Sequence, residues 1–167
     1  MLDSKEVQEA IDKFRKYVIQ QSRSNLTKQR KNVNKSLYNS INGVSKVNKN
    51  SISLYFEMLD YGIFQDKGVS GKFKKYNTDF SYKSKMPPSK VFDKWIVRKG
   101  IAPRNEKGQF MSRKSLSYLI ARKIFREGIK PSLFFTKPFE KAYDRLPDEI
   151  IEAYGIDIVN LYLEKKW

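Results

Sequence analysis

Apolar residues recur at helical spacing near the start of the chain. Val7, Ile11, Phe14 and Val18 fall on one face, with Lys13, Arg15 and Lys16 off it. Ser4 is placed to cap this helix, and Glu6 lies in its first turn, where the helix dipole favours negative charge. The pattern weakens at Ser22-Arg23-Ser24 and resumes at Leu26, which predicts one long helix or two pieces. From Ser36 to Met58 the period changes. Leu37, Asn39, Ile41 and Gly43 alternate with Tyr38, Ser40, Asn42 and Val44. After a turn at Val47-Asn48-Lys49-Asn50, Ile52, Leu54, Phe56 and Met58 share one face of a strand. The expectation is a β-hairpin ended by Leu59-Asp60-Tyr61-Gly62.

Residues 66–86 hold few aliphatic side chains and read as a basic loop or mobile hairpin. A loop of that length in a compact domain usually has a function of its own or is disordered. Pro87-Pro88-Ser89 then opens a helix with Val91, Phe92, Trp95 and Ile96 as its apolar stripe and Gly100 as its stop. Trp95 reads most simply as a core anchor. Ala102 to Gly108 is a polar turn. Ser112 or Ser115 starts a helix carrying Leu116, Leu119, Ile120 and Ile124 and ending at Gly128. Pro131 to Thr136 reads as extended and buried. Pro138 opens a short helical turn through Tyr143, and Pro147 opens a last helix with Ile150, Ile151, Tyr154, Ile158, Leu161 and Tyr162 as its apolar positions. Together these elements predict an α+β fold: an N-terminal helix, a small antiparallel sheet built on a hairpin, and several helices packed on one side.

The length of 167 residues suits a single domain, 1–167. Cysteine and histidine are both absent, which excludes disulfides, thiolate nucleophiles, Ser-His-Asp catalysis and the commonest zinc ligands. No motif assembles carboxylate, lysine or tyrosine chemistry in their place, so neither an enzyme nor a bound cofactor or metal is expected. The formal charge of +16 favours polyanionic partners, although a lysine-rich surface also arises from A+T-biased coding. No apolar run of about 18 residues is present to span a membrane. The charged Met1-Leu2-Asp3-Ser4-Lys5-Glu6 start lacks the apolar core of a signal peptide, which predicts a cytoplasmic site of synthesis.

Three spaced pieces carry more information than any single element. They are Tyr61-Gly62-Ile63-Phe64-Gln65-Asp66-Lys67-Gly68, Pro87-Pro88 with Trp95, and Gly128-Ile129-Lys130-Pro131-Ser132-Leu133-Phe134. In this order the chain resembles the tail-completion or neck proteins of tailed bacteriophages, over roughly Ser51 to Tyr143. In that family a strand runs into a "Y-x-x-F-x-D-x-G" turn, then "P-P" and a Trp-bearing helix, then a "G-I-x-P-x-x-F" segment. The residues that match are Tyr61, Phe64, Asp66, Gly68, Pro87, Pro88, Trp95, Gly128, Pro131 and Phe134, most of them suited to setting fold. The resemblance implies a virion protein, made in the host cytoplasm. It would form a six- or twelve-fold homo-oligomeric ring between portal or connector and tail proteins, around the DNA channel and within reach of non-specific contact with packaged DNA. The Lys72–Lys85 arm is longer than the family's usual insertion.

Several constellations invite other readings. Lys67, Lys72, Lys74, Lys75, Lys83 and Lys85 are interleaved with Phe73 and Tyr76, a composition suited to stacking bases and pairing phosphates. The same arm also suits packing on a neighbouring subunit. A stand-alone basic nucleic-acid-binding protein is therefore the main alternative. The helix with Arg113, Lys114, Arg122, Lys123 and Arg126 resembles a recognition helix, yet its connection to the preceding helix is too long for a helix-turn-helix. Glu57, Asp60 and Asp66 invite a metal-nuclease reading. A turn-forming Asp66 explains them more simply. Gly68-Val69-Ser70-Gly71-Lys72 lacks the spacing of a phosphate-binding loop. Finally, every charge from Asp148 to Glu164 is acidic, while those from Lys67 to Lys99 are mostly basic. Glu149 and Glu152 are thus candidates to meet a basic face of the next subunit in a ring.

Overall fold

The computed structural model describes residues 5–48 and 51–152. The architecture is mixed helix and sheet, as the pattern predicts. In chain order the described elements are α1 (Lys5–Lys28), α2 (Ser36–Ser40), β1 (Asn42–Asn48), β2 (Ser51–Glu57), α3 (Tyr61–Lys67) and β3 (Val69–Ser70). A 3₁₀ turn (Ser89–Phe92), α4 (Asp93–Arg98), α5 (Arg113–Glu127), β4 (Gly128–Ile129) and α6 (Thr136–Tyr143) follow. Residues 146–152 are again helical. By their contacts the residues fall into two compact units. Of the described residues, the first comprises 5–29, 36–48, 51–59 and 134–152; the second comprises 30–35 and 60–133.

The first unit is built on α1, a single helix through the weak patch at Ser22. Its predicted stripe is buried: Val7, Ile11, Phe14, Val18 and Leu26 all leave solvent. β1 and β2 pair antiparallel from Asn42↔Glu57 to Asn48↔Ser51. Ile52, Leu54 and Phe56 of β2 pack with Phe139 of α6 on the Ile11, Phe14 and Val18 cluster. A second cluster joins Leu26, Leu37, Ile41 and Phe134. Polar ties add register. Ser45 donates to the Asp12 carboxylate at 2.8 Å and Arg15 to the Gly43 carbonyl at 2.9 Å. With Arg15 beside it, that hydrogen bond from Ser45 holds the Asp12 carboxyl below its usual value.

Two expectations for this unit change. The hairpin begins at Asn42, because Ser36–Ser40 forms α2. Five mostly polar residues carry no decisive period, and Arg23 decides the matter by donating to the Tyr38 and Ile41 carbonyls at 3.0 and 2.9 Å. Residues 131–136 are not uniformly extended either. Leu133 takes a left-handed φ of 50°, and α6 already begins at Thr136. The expected cap at Ser4, the turn residues Lys49 and Asn50, and the last helix beyond Glu152 lie outside the described residues.

In the second unit a helix stands where a turn was expected. Tyr61–Lys67 is α3, ended by Gly68, and Asp66 is a buried helical residue. The Pro88 segment opens with the 3₁₀ turn ahead of the short α4. Ile96 takes the fully buried position of α4 and Trp95 stays 38% exposed, so Trp95 is not the core anchor. Ser112 is the cap of α5, its side chain accepting from the Ser115 N–H.

Candidate functional site

The first and third pieces of the family pattern meet in the second unit. β3 and β4 pair antiparallel, Val69 with Ile129 and Ser70 with Gly128. Gly68 and Gly128 have φ of 76° and 77° with ψ of 179° and −165°, a region that essentially only glycine occupies. A Cβ at Gly71 would lie 2.3 Å from the Arg126 carbonyl oxygen, and one at Gly68 would lie 2.7 Å from the Pro131 ring. The Ser132 and Leu133 N–H groups both donate to the Asp66 carbonyl at 3.0 Å. Asp66, Gly68, Gly128 and Pro131 thus hold one backbone crossing. Tyr61 and Phe64 lie on α3 and are 47% and 39% exposed, with Phe64 edge-on to Phe80 at 4.7 Å. Pro87 is half-buried and Pro88 exposed ahead of α4. Phe134 belongs to the core of the first unit.

This crossing sets the course of residues 66–86. The segment is irregular, as expected, but it folds back on the end of α5 and does not extend as an arm. The Lys72 N–H donates to the Phe125 carbonyl at 2.8 Å, and the Phe73 and Lys74 N–H groups donate to that of Arg126 at 3.0 and 3.3 Å. Ser70 closes the loop: its hydroxyl donates to the Tyr76 carbonyl and accepts from the Tyr76 N–H. The segment also satisfies carbonyls at the C-terminal end of α5, which would otherwise face solvent.

The result is a basic cluster around an exposed ring. Phe73 is 70% exposed. The Arg126 guanidinium lies 5.3 Å and the Lys72 ammonium 5.9 Å from its centroid, both within cation–π range. A shallow groove of about 430 Å³ beside it is lined by Phe73, Leu119, Arg122, Lys123, Arg126 and Glu127. Lys74 sits over the half-buried Tyr76 ring at 5.7 Å. Of the other predicted arm residues, Lys75 turns back to donate to the Gly71 carbonyl at 3.0 Å. Lys67, Lys83 and Lys85 are exposed along the segment. Burial beside Phe125 pushes the Tyr82 phenol above its ordinary value.

The sequence held Phe73 and Arg126 as separate features, one in an arm and one on a helix. No local pattern says that they meet, because backbone hydrogen bonds make the juxtaposition. It also missed a second stacked pair. The Arg104 guanidinium lies 3.9 Å from the centroid of Phe110, in a small hairpin built on the segment expected to be a polar turn.

Glu149 and Glu152 are exposed on the 146–152 helix of the first unit. They border a groove of about 650 Å³ shared with Glu6, Lys13, Lys141 and Arg145. Among the described residues, no three acidic, histidine or cysteine side chains gather closely enough to hold a metal ion. No described helix is long and apolar enough to cross a membrane. Comparison with family models, with curated proteins and with solved structures returns no match to this chain.

Proposed function

We propose that this chain is a structural component of a tailed-phage neck, a tail-completion protein that closes into a ring joining the portal side to the tail around the DNA path. The observation that carries this reading is the fit between the first and third pieces of the family pattern. Residues 66–71 and 128–131 are far apart in sequence yet cross at distances that only glycine permits. Matching residues that serve backbone geometry suit a protein whose task is shape. The reading is tested by quantitative mass spectrometry of purified particles of the encoding phage, counting this chain against the major capsid protein. A small fixed number, on the order of six or twelve as closed symmetry gives, is expected. Absence from the particle overturns the proposal.

A second reading, a basic nucleic-acid-binding protein acting alone, is favoured by the cluster around Phe73. Steeply salt-sensitive DNA binding by a stable monomer that is absent from particles is the outcome that selects it.

A further inference from the structure

We infer that the Phe73 surface is a stacking platform for a nucleobase of a single-stranded nucleic acid, with Lys72, Arg122, Lys123 and Arg126 placed for the flanking phosphates. This platform occupies one surface of the second unit; it deepens the nucleic-acid-binding reading and does not depend on the ring. A phenylalanine ring left 70% exposed forgoes most of the hydrophobic gain of burial. This ring is also not a loose side chain on a loose loop. Its own N–H and that of Lys74 are fixed to the Arg126 carbonyl, and the Lys72 N–H is fixed to that of Phe125. The backbone beneath it is therefore anchored before any ligand arrives, which lowers the entropic cost of stacking.

The charges around the ring are arranged for a strand. Arg126 and Lys72 lie within 6 Å of the ring centroid, and Arg122 and Lys123 line the adjoining groove. Glu127, the acidic residue of that groove, lies 4.0 Å from Lys123, so Lys72, Arg122 and Arg126 are the cations beside Phe73 that it does not offset. A base on an aromatic face with phosphates on neighbouring cations is the general mode of sequence-tolerant single-strand binding. Duplex DNA offers the phosphates but keeps its bases stacked on one another, so it gains nothing from the ring. That difference makes the inference specific.

The test is fluorescence anisotropy of the full-length protein with a labelled oligo(dT) of about 15 nucleotides, near the upper span of one such site. A duplex of equal length and an oligo(rU) run beside it, the latter to separate DNA from RNA as the natural strand. Single strands are expected to bind more tightly than duplex. Phe73→Ala is expected to weaken single-strand binding by about tenfold or more while leaving duplex binding and the salt slope unchanged. Phe73→Trp should restore affinity and add quenching of tryptophan emission over wild type as the base stacks. Arg126→Gln should lower the single-strand salt slope by about 0.7, one phosphate contact. Phe73 is exposed and its backbone contacts survive substitution, so circular dichroism should be unchanged in both Phe73 variants. Equal binding of single strand and duplex, indifference to Phe73→Ala, or no binding at low salt overturns the inference. In the last case an acidic protein surface becomes the better occupant.

Discussion

A Cβ at Gly128 would lie 2.1 Å from the Val69 carbonyl oxygen and 2.5 Å from the Gly71 nitrogen, both backbone atoms with no freedom to yield. Gly128→Ala is therefore expected to cost more than about 2 kcal/mol, from the clash added to the φ penalty. Gly108 isolates the second term. Its φ is 75°, but nothing lies within 4 Å of its would-be Cβ, so Gly108→Ala should cost only about 1 kcal/mol. Thermal melts of the two variants check this; equal losses would show that the crossing at Gly128 is not tight. Phe134 makes the matching case in the first unit. It is fully buried against Leu26, Leu37 and Ile41, so Phe134→Ala should cost about 3–5 kcal/mol, read by the same melts.

At the scale of elements, α2 depends on a side chain from α1. Arg23 donates to two carbonyls at the end of α2 and lies 5.3 Å from the Tyr38 centroid. Arg23→Met should cost about 1–3 kcal/mol by leaving those acceptors part-buried and unpaired, with amide exchange rising first in residues 36–41. Uniform exchange through that stretch would refute the role. The Asp12 link between α1 and β1 has a definite pH sign. Its folded pKa is lowered, so its stabilisation is present above the ordinary carboxylate value and lost as pH falls through the lower folded one. Asp12 is 44% exposed, so the effect stays below about 1 kcal/mol, and Asp12→Asn should flatten the acid limb of a melting curve by that amount. These elements also mark what a sequence can disclose. The stripe of α1 and the alternation of β2 were legible because each repeats a period over many residues and buries one face. Ser36–Ser40 and Tyr61–Lys67 were not, because segments of five and seven residues are decided by distant partners such as Arg23. The platform was half legible: composition marked the basic aromatic arm, but its place beside Arg126 follows from backbone hydrogen bonds that no periodicity encodes.

At the scale of the whole molecule, the ring proposed above would bring together subunits carrying +16 each, which repel, so it would need a contact that offsets that field. A heterologous ring contact joins two different faces, so an acidic strip meeting a basic face would serve. The described part of the acidic run, Asp148, Glu149 and Glu152, does not stand alone. Lys13, Lys141 and Arg145 border the same groove, and Glu6 and Glu9 line it as well, so its acidic and basic side chains nearly balance. The strip is consequently weaker than the sequence implies, and a single reversal is a small perturbation. The decisive variant is the double one. Glu149→Lys with Glu152→Lys changes the formal charge of that face by four units per subunit and leaves the groove predominantly basic. Both residues are exposed, so folding should survive, with circular dichroism and melting close to wild type. If these carboxylates meet the basic face of the next subunit, the double variant should fail to complement a phage lacking this chain and should be lost from purified particles. A Lys141→Glu change, which strengthens the strip, should leave incorporation intact. Normal incorporation of the double reversal would mean that the subunits meet through other surfaces, and the exposed apolar side chains Val91, Trp95 and Val97 of the second unit would be the next to substitute.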